Sequence, residues 1–149
     1  MKVYLAADHG GYKLKEEVKK WLKEWRYSFD DFGPDHFDSK DDYPDFAWPA
    51  AVRIGREPRA KGIFVCRSGQ GMCIVANKAK GARAAVCWNQ NAAHFARNDD
   101  DANILCLPGD YVTLDNAKKI VHTFLTTDFE KHARFERRVG KVKKIDINL

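Results

Sequence analysis

The chain has 149 residues, of which 44% are hydrophobic and 12% aromatic, and this is enough apolar material for the core of one globular domain. The composition does not favour disorder outside the termini, and no apolar run approaches the ~20 residues that a membrane-spanning helix needs. The net charge of +5 comes from lysines and arginines spread through predicted helices, which does not favour a nucleic-acid-binding surface.

Segments typical of strands and of helices alternate along the chain. Short apolar or alternating runs predict five strands, Lys2–Ala7, Tyr27–Phe32, Ile63–Cys66, Arg83–Trp88 and Asn103–Leu107. Apolar residues at helical spacing predict helices that contain Tyr12–Trp25, Pro44–Ile54, Met72–Lys78, Ala92–Ala96 and Asp115–Leu125, followed by a charged C-terminal helix within Phe129–Val142. This alternation predicts an α/β fold with a parallel sheet and helices on both faces.

The start of the chain predicts a strand and no targeting segment. A carboxylate and a histidine, Asp8 and His9, follow the first strand too soon for a signal peptide. The four cysteines have none of the paired spacing of a zinc site. We therefore expect a cytoplasmic protein with reduced thiols and a single domain over residues 1–149.

The segment from Gly62 to Lys78 predicts a strand, a glycine turn and the amino end of a helix. Cys66 falls at the carboxyl end of the strand, and the turn Ser68-Gly69-Gln70-Gly71 directs backbone amides outward. Amide dipoles and the guanidinium of Arg67 favour the thiolate, so we expect the pKa of Cys66 to be lowered. From these residues alone, a buried structural cysteine is an equally good interpretation.

Polar side chains that end two predicted strands form a candidate proton-transfer site. If the first and third strands are neighbours, Asp8 and His9 face the same crevice as Cys66 and Ser68. A carboxylate, an imidazole, a thiol and a hydroxyl over a glycine turn are suited to proton transfer. Each also has a simpler interpretation, with Asp8 and Ser68 as helix caps and His9 as a turn residue.

Seven short motifs resemble the ribose-5-phosphate isomerase B family, which also includes the paired subunits of galactose-6-phosphate isomerase. They occur in the order and spacing of that family: Asp8-His9-Gly10-Gly11, Asp42-Tyr43-Pro44, Cys66-x-Ser68-Gly69-x-Gly71-Met72, Ala76-Asn77-Lys78, Gly81-x-Arg83-Ala84-Ala85, Asp101-Ala102-Asn103 and Arg134-x-x-x-Arg138-Val139. The resemblance implies a Rossmann-like three-layer sandwich with a five-stranded parallel sheet and a C-terminal helix. It also implies an aldose–ketose isomerase of a phosphorylated sugar that uses no metal or other cofactor. The implied assembly is a homodimer or a tetramer whose active sites draw on both subunits.

The same resemblance implies a role for each residue of the proton-transfer site. Cys66 is similar to the general base that moves a proton between the two carbons beside the carbonyl. Ser68 is similar to a hydroxyl that moves protons on the substrate oxygens, and Asp8 to a group that contacts the sugar hydroxyls. The amides around Gly69 and Gly71 are implied to hold the enediolate oxygen, where negative charge develops.

The resemblance also implies how the sugar phosphate is bound. Tyr43 is similar to a residue that contacts a sugar hydroxyl. His9, Arg134 and Arg138 resemble the phosphate clamp, and paired guanidinium–phosphate hydrogen bonds make arginine suitable for that role.

Three aspartates stand at positions where the family has other residues. Asp99 replaces the histidine that opens the sugar ring, Asp100 replaces an asparagine that contacts the sugar, and Asp110 replaces an arginine on the phosphate side. Either Asp99 opens the ring, or ring opening is not needed because the substrate is an open-chain sugar such as a tetrose 4-phosphate. A hexose 6-phosphate is a further alternative.

Three other positions also depart from the family pattern. Arg67 and Gln70 replace a glycine and an aliphatic residue in the glycine turn, and Phe135 replaces a histidine beside the first clamp arginine. We expect Arg67 to bind substrate and to supply the positive charge that Asp110 lacks. A non-catalytic sugar-phosphate-binding module, or the partner subunit of a heteromer, remains an alternative function.

Overall fold

The fold is given by a computed structural model, which describes residues 1–146. Five strands alternate with five α-helices in this part of the chain, and a sixth α-helix follows the fifth. The strands are β1 (Lys2–Ala7), β2 (Ser28–Asp31), β3 (Lys61–Cys66), β4 (Ala84–Val86) and β5 (Ile104–Pro108). The helices are α1 (Tyr12–Glu24), α2 (Tyr43–Gly55), α3 (Gln70–Ala76), α4 (Gln90–Asn98), α5 (Leu114–Thr126) and α6 (Ala133–Ile145), and a 3-10 turn spans Gly109–Tyr111.

The five strands form one parallel sheet in the order β2-β1-β3-β5-β4. The predicted α/β architecture is therefore confirmed. β1 and β3 are neighbours, with Ala7 paired with Val65, and β5 continues the sheet with Pro108 paired with Cys66. Because paired strands end at the same edge, the residues that follow β1, β3 and β5 lie together at the carboxyl edge of the sheet.

Two apolar layers cover the sheet because alternate strand residues point to opposite faces. On one face, Leu5, Ile63 and Leu105 belong to the cluster that includes the apolar sides of α1, α4 and α5. On the other face, Phe64 and Cys66 belong to the cluster that includes the apolar sides of α2 and α3. This pattern explains why the central strands β3 and β5 are almost continuously apolar, as parallel strands covered on both faces must be.

The turn after β1 brings α1 close to β3. A Cβ atom at Gly11 would lie 2.0 Å from the carbonyl oxygen of Val65, so only glycine fits there. We expect Gly11→Ala to separate the two elements and to disturb the carboxyl edge at Asp8 and Cys66.

Two predicted strands are shorter in the structure than the sequence pattern indicates. The second strand is limited to Ser28–Asp31 at the sheet edge, and the fourth to Ala84–Val86 at the opposite edge. The predicted end of the fourth strand, Trp88, lies beyond the ladder and is 62% exposed. Edge strands pair on one side only, so the alternating residues at their ends have no neighbour to hold them in the sheet.

The C-terminal helix α6 has the charged character that the sequence predicts, and Val139 is its buried residue. No helix within residues 1–146 is both long and apolar enough to cross a membrane.

Candidate active site

The carboxyl edge of the sheet brings together the polar residues that follow β1 and β3. Asp8 accepts a hydrogen bond from the Gly11 amide at 3.1 Å, so it also stabilises the turn into α1. Burial raises the pKa of Asp8, and the nearby Asp41 carboxylate raises it further, while the Gly11 amide and His9 act in the opposite direction. Asp8 is therefore a carboxyl group whose proton is held more tightly than usual.

Cys66 is buried at the end of β3, with its sulfur towards the glycine turn. Its Sγ accepts a hydrogen bond from the Gly69 amide at 3.1 Å, and only 5% of the residue is exposed. Burial raises the pKa of the Cys66 thiol, and Asp8 raises it further, although the amides of Met72, Gly69 and Ser68 oppose the rise. The predicted lowering of this pKa is therefore wrong for the protomer described here.

The Arg67 side chain extends towards the turn after β1. It runs across Gly10, where an added Cβ would lie 2.5 Å from the Arg67 Cγ. The guanidinium acts on His9, whose pKa it lowers against larger opposing effects, and it is not among the main influences on the pKa of Cys66. The Arg67 guanidinium, which the sequence predicts to lie near the Cys66 thiol, therefore lies beside His9.

The glycine turn forms the floor of the site. Gly69 has a φ of +75°, which glycine adopts without steric cost, and it begins the short helix α3. The Ser68 hydroxyl accepts a hydrogen bond from the Gln70 amide at 3.3 Å, as expected for a cap. The ring of Tyr43 lies over Gly71, since a Cβ at Gly71 would be 2.8 Å from that ring. Tyr43 is thus the first residue of α2 and also a wall of the site.

His9 is held by a residue that the sequence analysis did not single out. Its Nδ1 lies 2.7 Å from the Asp41 Oδ1, and its backbone amide donates to the same oxygen at 2.9 Å. The hydrogen bond that His9 donates to Asp41 raises the pKa of His9 and is the largest influence on it. Asp41 belongs to an acidic loop, and its only sequence signal is its place directly before the motif Asp42-Tyr43-Pro44.

Asp110 lies at the same edge, but without the charge that an arginine would provide. Its amide donates to the Arg67 carbonyl oxygen at 2.9 Å, so the turn after β5 is attached to the turn after β3. This contact places the Arg67 backbone beside the position where the family pattern has an arginine.

The other predicted site residues lie at the opposite edge of the sheet. Because α4 runs back between the parallel strands β4 and β5, Asp99 and Asp100 at its end lie at the amino edge. Arg138 of α6 and Asp100 line a cleft of about 420 Å3 there, and the Arg134 guanidinium lies over the Phe135 ring. Burial and the neighbouring Asp99 raise the pKa of Asp100, while Arg138 opposes the rise.

The two groups of residues are too far apart to meet within one protomer. The six residues of β3 separate the two edges by on the order of 17 Å. The structure therefore brings together one group at the carboxyl edge, Asp8, His9, Tyr43, Cys66, Arg67, Ser68, Gly69 and Gly71. It places a second group at the amino edge, Asp99, Asp100, Arg134 and Arg138. Within residues 1–146, His, Cys, Asp and Glu side chains form no group of three that could hold a metal ion.

Comparison with known proteins shows the family of the chain. The sequence profile of the family described as Ribose/Galactose Isomerase matches residues 3–142. A probable ribose-5-phosphate isomerase B of Mycoplasma pneumoniae is 42% identical over 140 residues, which cover 94% of this chain and 91% of that protein. Ribose-5-phosphate isomerase B of Mycobacterium tuberculosis is 40% identical over 139 residues, with 93% of this chain and 86% of that protein covered.

Solved structures give the same result for the fold. The structure of ribose-5-phosphate isomerase B from Mycoplasma genitalium with bound ribulose-5-phosphate has a TM-score of 0.95 and 38% identity, covering 99% of this chain and 97% of that one. That of the Clostridium thermocellum enzyme has a TM-score of 0.91 and 43% identity, covering 99% of both chains.

Fold, site residues and relatives together define an aldose–ketose isomerase that acts on a sugar phosphate. The chain belongs to the ribose/galactose isomerase family, as the motifs in its sequence indicate. The alternative of a non-catalytic binding module is not favoured, since the relatives are named isomerases.

Proposed function

We propose that the chain interconverts ribose 5-phosphate and ribulose 5-phosphate, or a closely similar pair, through an enediolate with Cys66 as the general base. The observation that carries this proposal is the position of the Cys66 sulfur, 3.1 Å from the Gly69 amide at the edge where parallel sheets bind ligands. The ribulose-5-phosphate bound to the Mycoplasma genitalium relative supports this choice of substrate.

In the proposed reaction, the Cys66 thiolate removes the proton from carbon 2 of the aldose. The electrons of that bond form the carbon–carbon double bond of the enediolate, and negative charge moves to the former carbonyl oxygen. Amides of the turn around Gly69 and Gly71 donate to this oxygen. Ser68 and Asp8 exchange protons with the substrate oxygens, and the Cys66 thiol returns its proton to carbon 1 to complete the ketose.

We propose that the complete site forms in a cytoplasmic homodimer. The carboxyl edge of one protomer would receive the amino-edge group, including Asp99 and Arg138, from a second copy. Exposed apolar side chains around the edge strand β4, Ile74, Trp88 and Phe95, support an interface beside this strand. The free thiols of the chain fit a reducing compartment.

Mixing two inactive variants tests the shared site. We expect Cys66→Ala and Arg138→Ala each to be nearly inactive alone, and to regain about a quarter of parent activity when subunits are exchanged at random. Half of the dimers are then mixed, and each mixed dimer has one intact site out of two. Activity is measured before and after reversible unfolding of the mixture, with each variant refolded alone as the control. If mixing restores no activity, the shared site is contradicted. If the parent chain is active when purified alone, the alternative of a heteromer with a second kind of subunit is rejected.

The aspartates at positions 99, 100 and 110 favour a second candidate substrate, either a tetrose 4-phosphate or a hexose 6-phosphate. These carboxylates stand where the family has a histidine, an asparagine and an arginine. A tetrose 4-phosphate does not form a ring because its O4 carries the phosphate, so it needs no ring-opening residue. Activity of the parent on the phosphates of ribose, allose, galactose and erythrose distinguishes these candidates, and a clear preference for ribose 5-phosphate would reject the second one.

If Asp99 opens the ring, its replacement should affect only cyclic substrates. We expect Asp99→Asn to lower kcat on ribose 5-phosphate by about a hundredfold, since a positioned acid–base group contributes on this scale. Turnover of erythrose 4-phosphate should change by less than about twofold. Equal losses on both sugars would show that Asp99 has another role.

A further inference from the structure

We propose that Asp41 is a positioning residue that holds His9 in the charged, correctly oriented form that binds the substrate phosphate. This role rests on the proposed function, because the phosphate belongs to the substrate assigned above. It adds to the site a residue from the acidic loop between β2 and α2.

The geometry of the contact fixes the histidine in two ways. A carboxylate oxygen can only accept, so the Nδ1 of His9 donates to the Asp41 Oδ1 across 2.7 Å. The same oxygen also accepts from the His9 backbone amide at 2.9 Å, which holds the residue's main chain. The ring nitrogen that remains, Nε2, has no hydrogen-bond partner within residues 1–146 and is left to donate to a ligand.

The Asp41 carboxylate is buried, and His9 is its ion-pair partner. Only 8% of the Asp41 side chain is exposed, and its Oδ2 is buried without a hydrogen-bond partner in the described part of the chain. A buried carboxylate is costly unless a positive charge lies close to it. A protonated His9 supplies that charge 2.7 Å from the Asp41 Oδ1.

Four groups face His9 and together determine its charge. Asp41 raises its pKa most, and Asp8 raises it further. Partial burial and the Arg67 guanidinium lower it, and the Phe37 ring contacts the imidazole edge without a charge. The net pKa of His9 is raised, so the imidazolium persists to higher pH than an isolated histidine and is lost as pH rises through that raised value.

The neighbouring loop residues do not share this arrangement. Asp38 and Asp42 are exposed, whereas Asp41 is turned inward to His9. A purely structural role, in which Asp41 only attaches the loop to the turn after β1, predicts a loss of stability with no change in phosphate binding. The two roles can therefore be separated by measurement.

Asp41→Asn tests the inference, since asparagine retains an oxygen acceptor but removes the charge. We expect the His9 imidazole, followed by NMR, to lose its proton at lower pH than in the parent. We also expect inorganic phosphate to bind about tenfold more weakly near pH 7.5, with a similar rise in KM for the sugar phosphate and kcat within about twofold. Asp38→Asn makes the same charge change in the same loop without contact to His9, and should leave all of these values unchanged.

A double-mutant cycle tests separately whether Asp41 acts through His9. We expect the variant with both Asp41→Asn and His9→Asn to bind inorganic phosphate as weakly as His9→Asn alone, because Asp41 acts through the histidine. Additive losses, or an unchanged His9 titration in Asp41→Asn, would overturn the inference. A parent without isomerase activity on any sugar phosphate would instead reject the proposed function, while the phosphate measurements still report on the Asp41–His9 pair.

Discussion

Replacing Cys66 with alanine is expected to lower kcat/KM by about three orders of magnitude without unfolding the protein. The thiol is the proposed base for both proton transfers, and a positioned base contributes on the order of 10²–10⁴ in rate. Removing one buried sulfur atom should cost only about 1 kcal/mol of stability. Isomerisation rates and the thermal unfolding midpoint measure the two effects separately.

The matched control for this substitution is Cys73→Ala. Cys73 lies on α3, and its thiol contacts the Ala84 carbonyl oxygen at 3.4 Å, with no place in the proposed proton path. We expect this variant to keep parent activity within about threefold, in agreement with the small effects of substitutions that leave a site intact. Parent-like turnover by Cys66→Ala would remove the proposed mechanism and leave the fold and family unaffected.

The pH dependence of the parent follows from the raised pKa of Cys66. The base is the thiolate, and burial makes the thiolate a minor form of the free protomer at neutral pH. We therefore expect kcat, which does not depend on phosphate binding by His9, to increase as pH rises from 7 towards 9, as more of the thiol ionises. A profile that is already flat above pH 6 would show that the assembled dimer lowers this pKa, for example by bringing arginines to the sulfur.

Replacing Lys15 with methionine is expected to lower the free energy of unfolding by about 3 kcal/mol. Lys15 is fully buried in α1, and its ammonium group donates to Asp31 and, at 2.8 Å, to the Pro34 carbonyl oxygen. Methionine keeps the apolar stem but leaves both acceptors without this donor. Urea unfolding at pH 7 measures the change.

Lys19→Met is the matched control because Lys19 also pairs with Asp31, at 2.6 Å, but is partly exposed. A partly exposed ion pair contributes less, so we expect a loss of about 1 kcal/mol. Equal losses in the two variants would contradict the special role of the buried lysine.

The ion pairs of Asp31 with Lys15 and Lys19 should also make the stability of the protein depend on pH in acid. Burial opposes the ionisation of Asp31, but hydrogen bonds from Lys15, Lys19 and the Gly33 amide outweigh it and lower its pKa. The stabilisation is therefore complete above the pKa of Asp31 in the unfolded chain, and is lost as pH falls through the lower folded value. We expect Lys15→Met to show a smaller loss of stability in acid than the parent. Since Lys15 also holds Pro34, this cluster supports the loop that carries Asp41.

Much of the fold and part of the site follow from local sequence patterns. Continuous apolar runs at Ile63–Cys66 and Asn103–Leu107 predict the central parallel strands, because strands buried on both faces cannot alternate with polar residues. The rule that parallel strands end at one edge also predicts that Asp8 and Cys66 meet. The family motifs rest on residue types and spacings, which a sequence shows directly.

Three features depend on the tertiary structure alone. The pKa of Cys66 is set by how deeply its sulfur is buried, and this outweighs the local amides that favour a thiolate. Asp41 meets His9 across 32 residues of chain, and the direction of α4 places Asp99 at the far edge of the sheet. The sequence by itself thus determined the strands, the helices and the chemical groups available. Burial, long-range contacts and the distance between the two edges arise only when the whole chain packs, because no short segment contains the atoms that produce them.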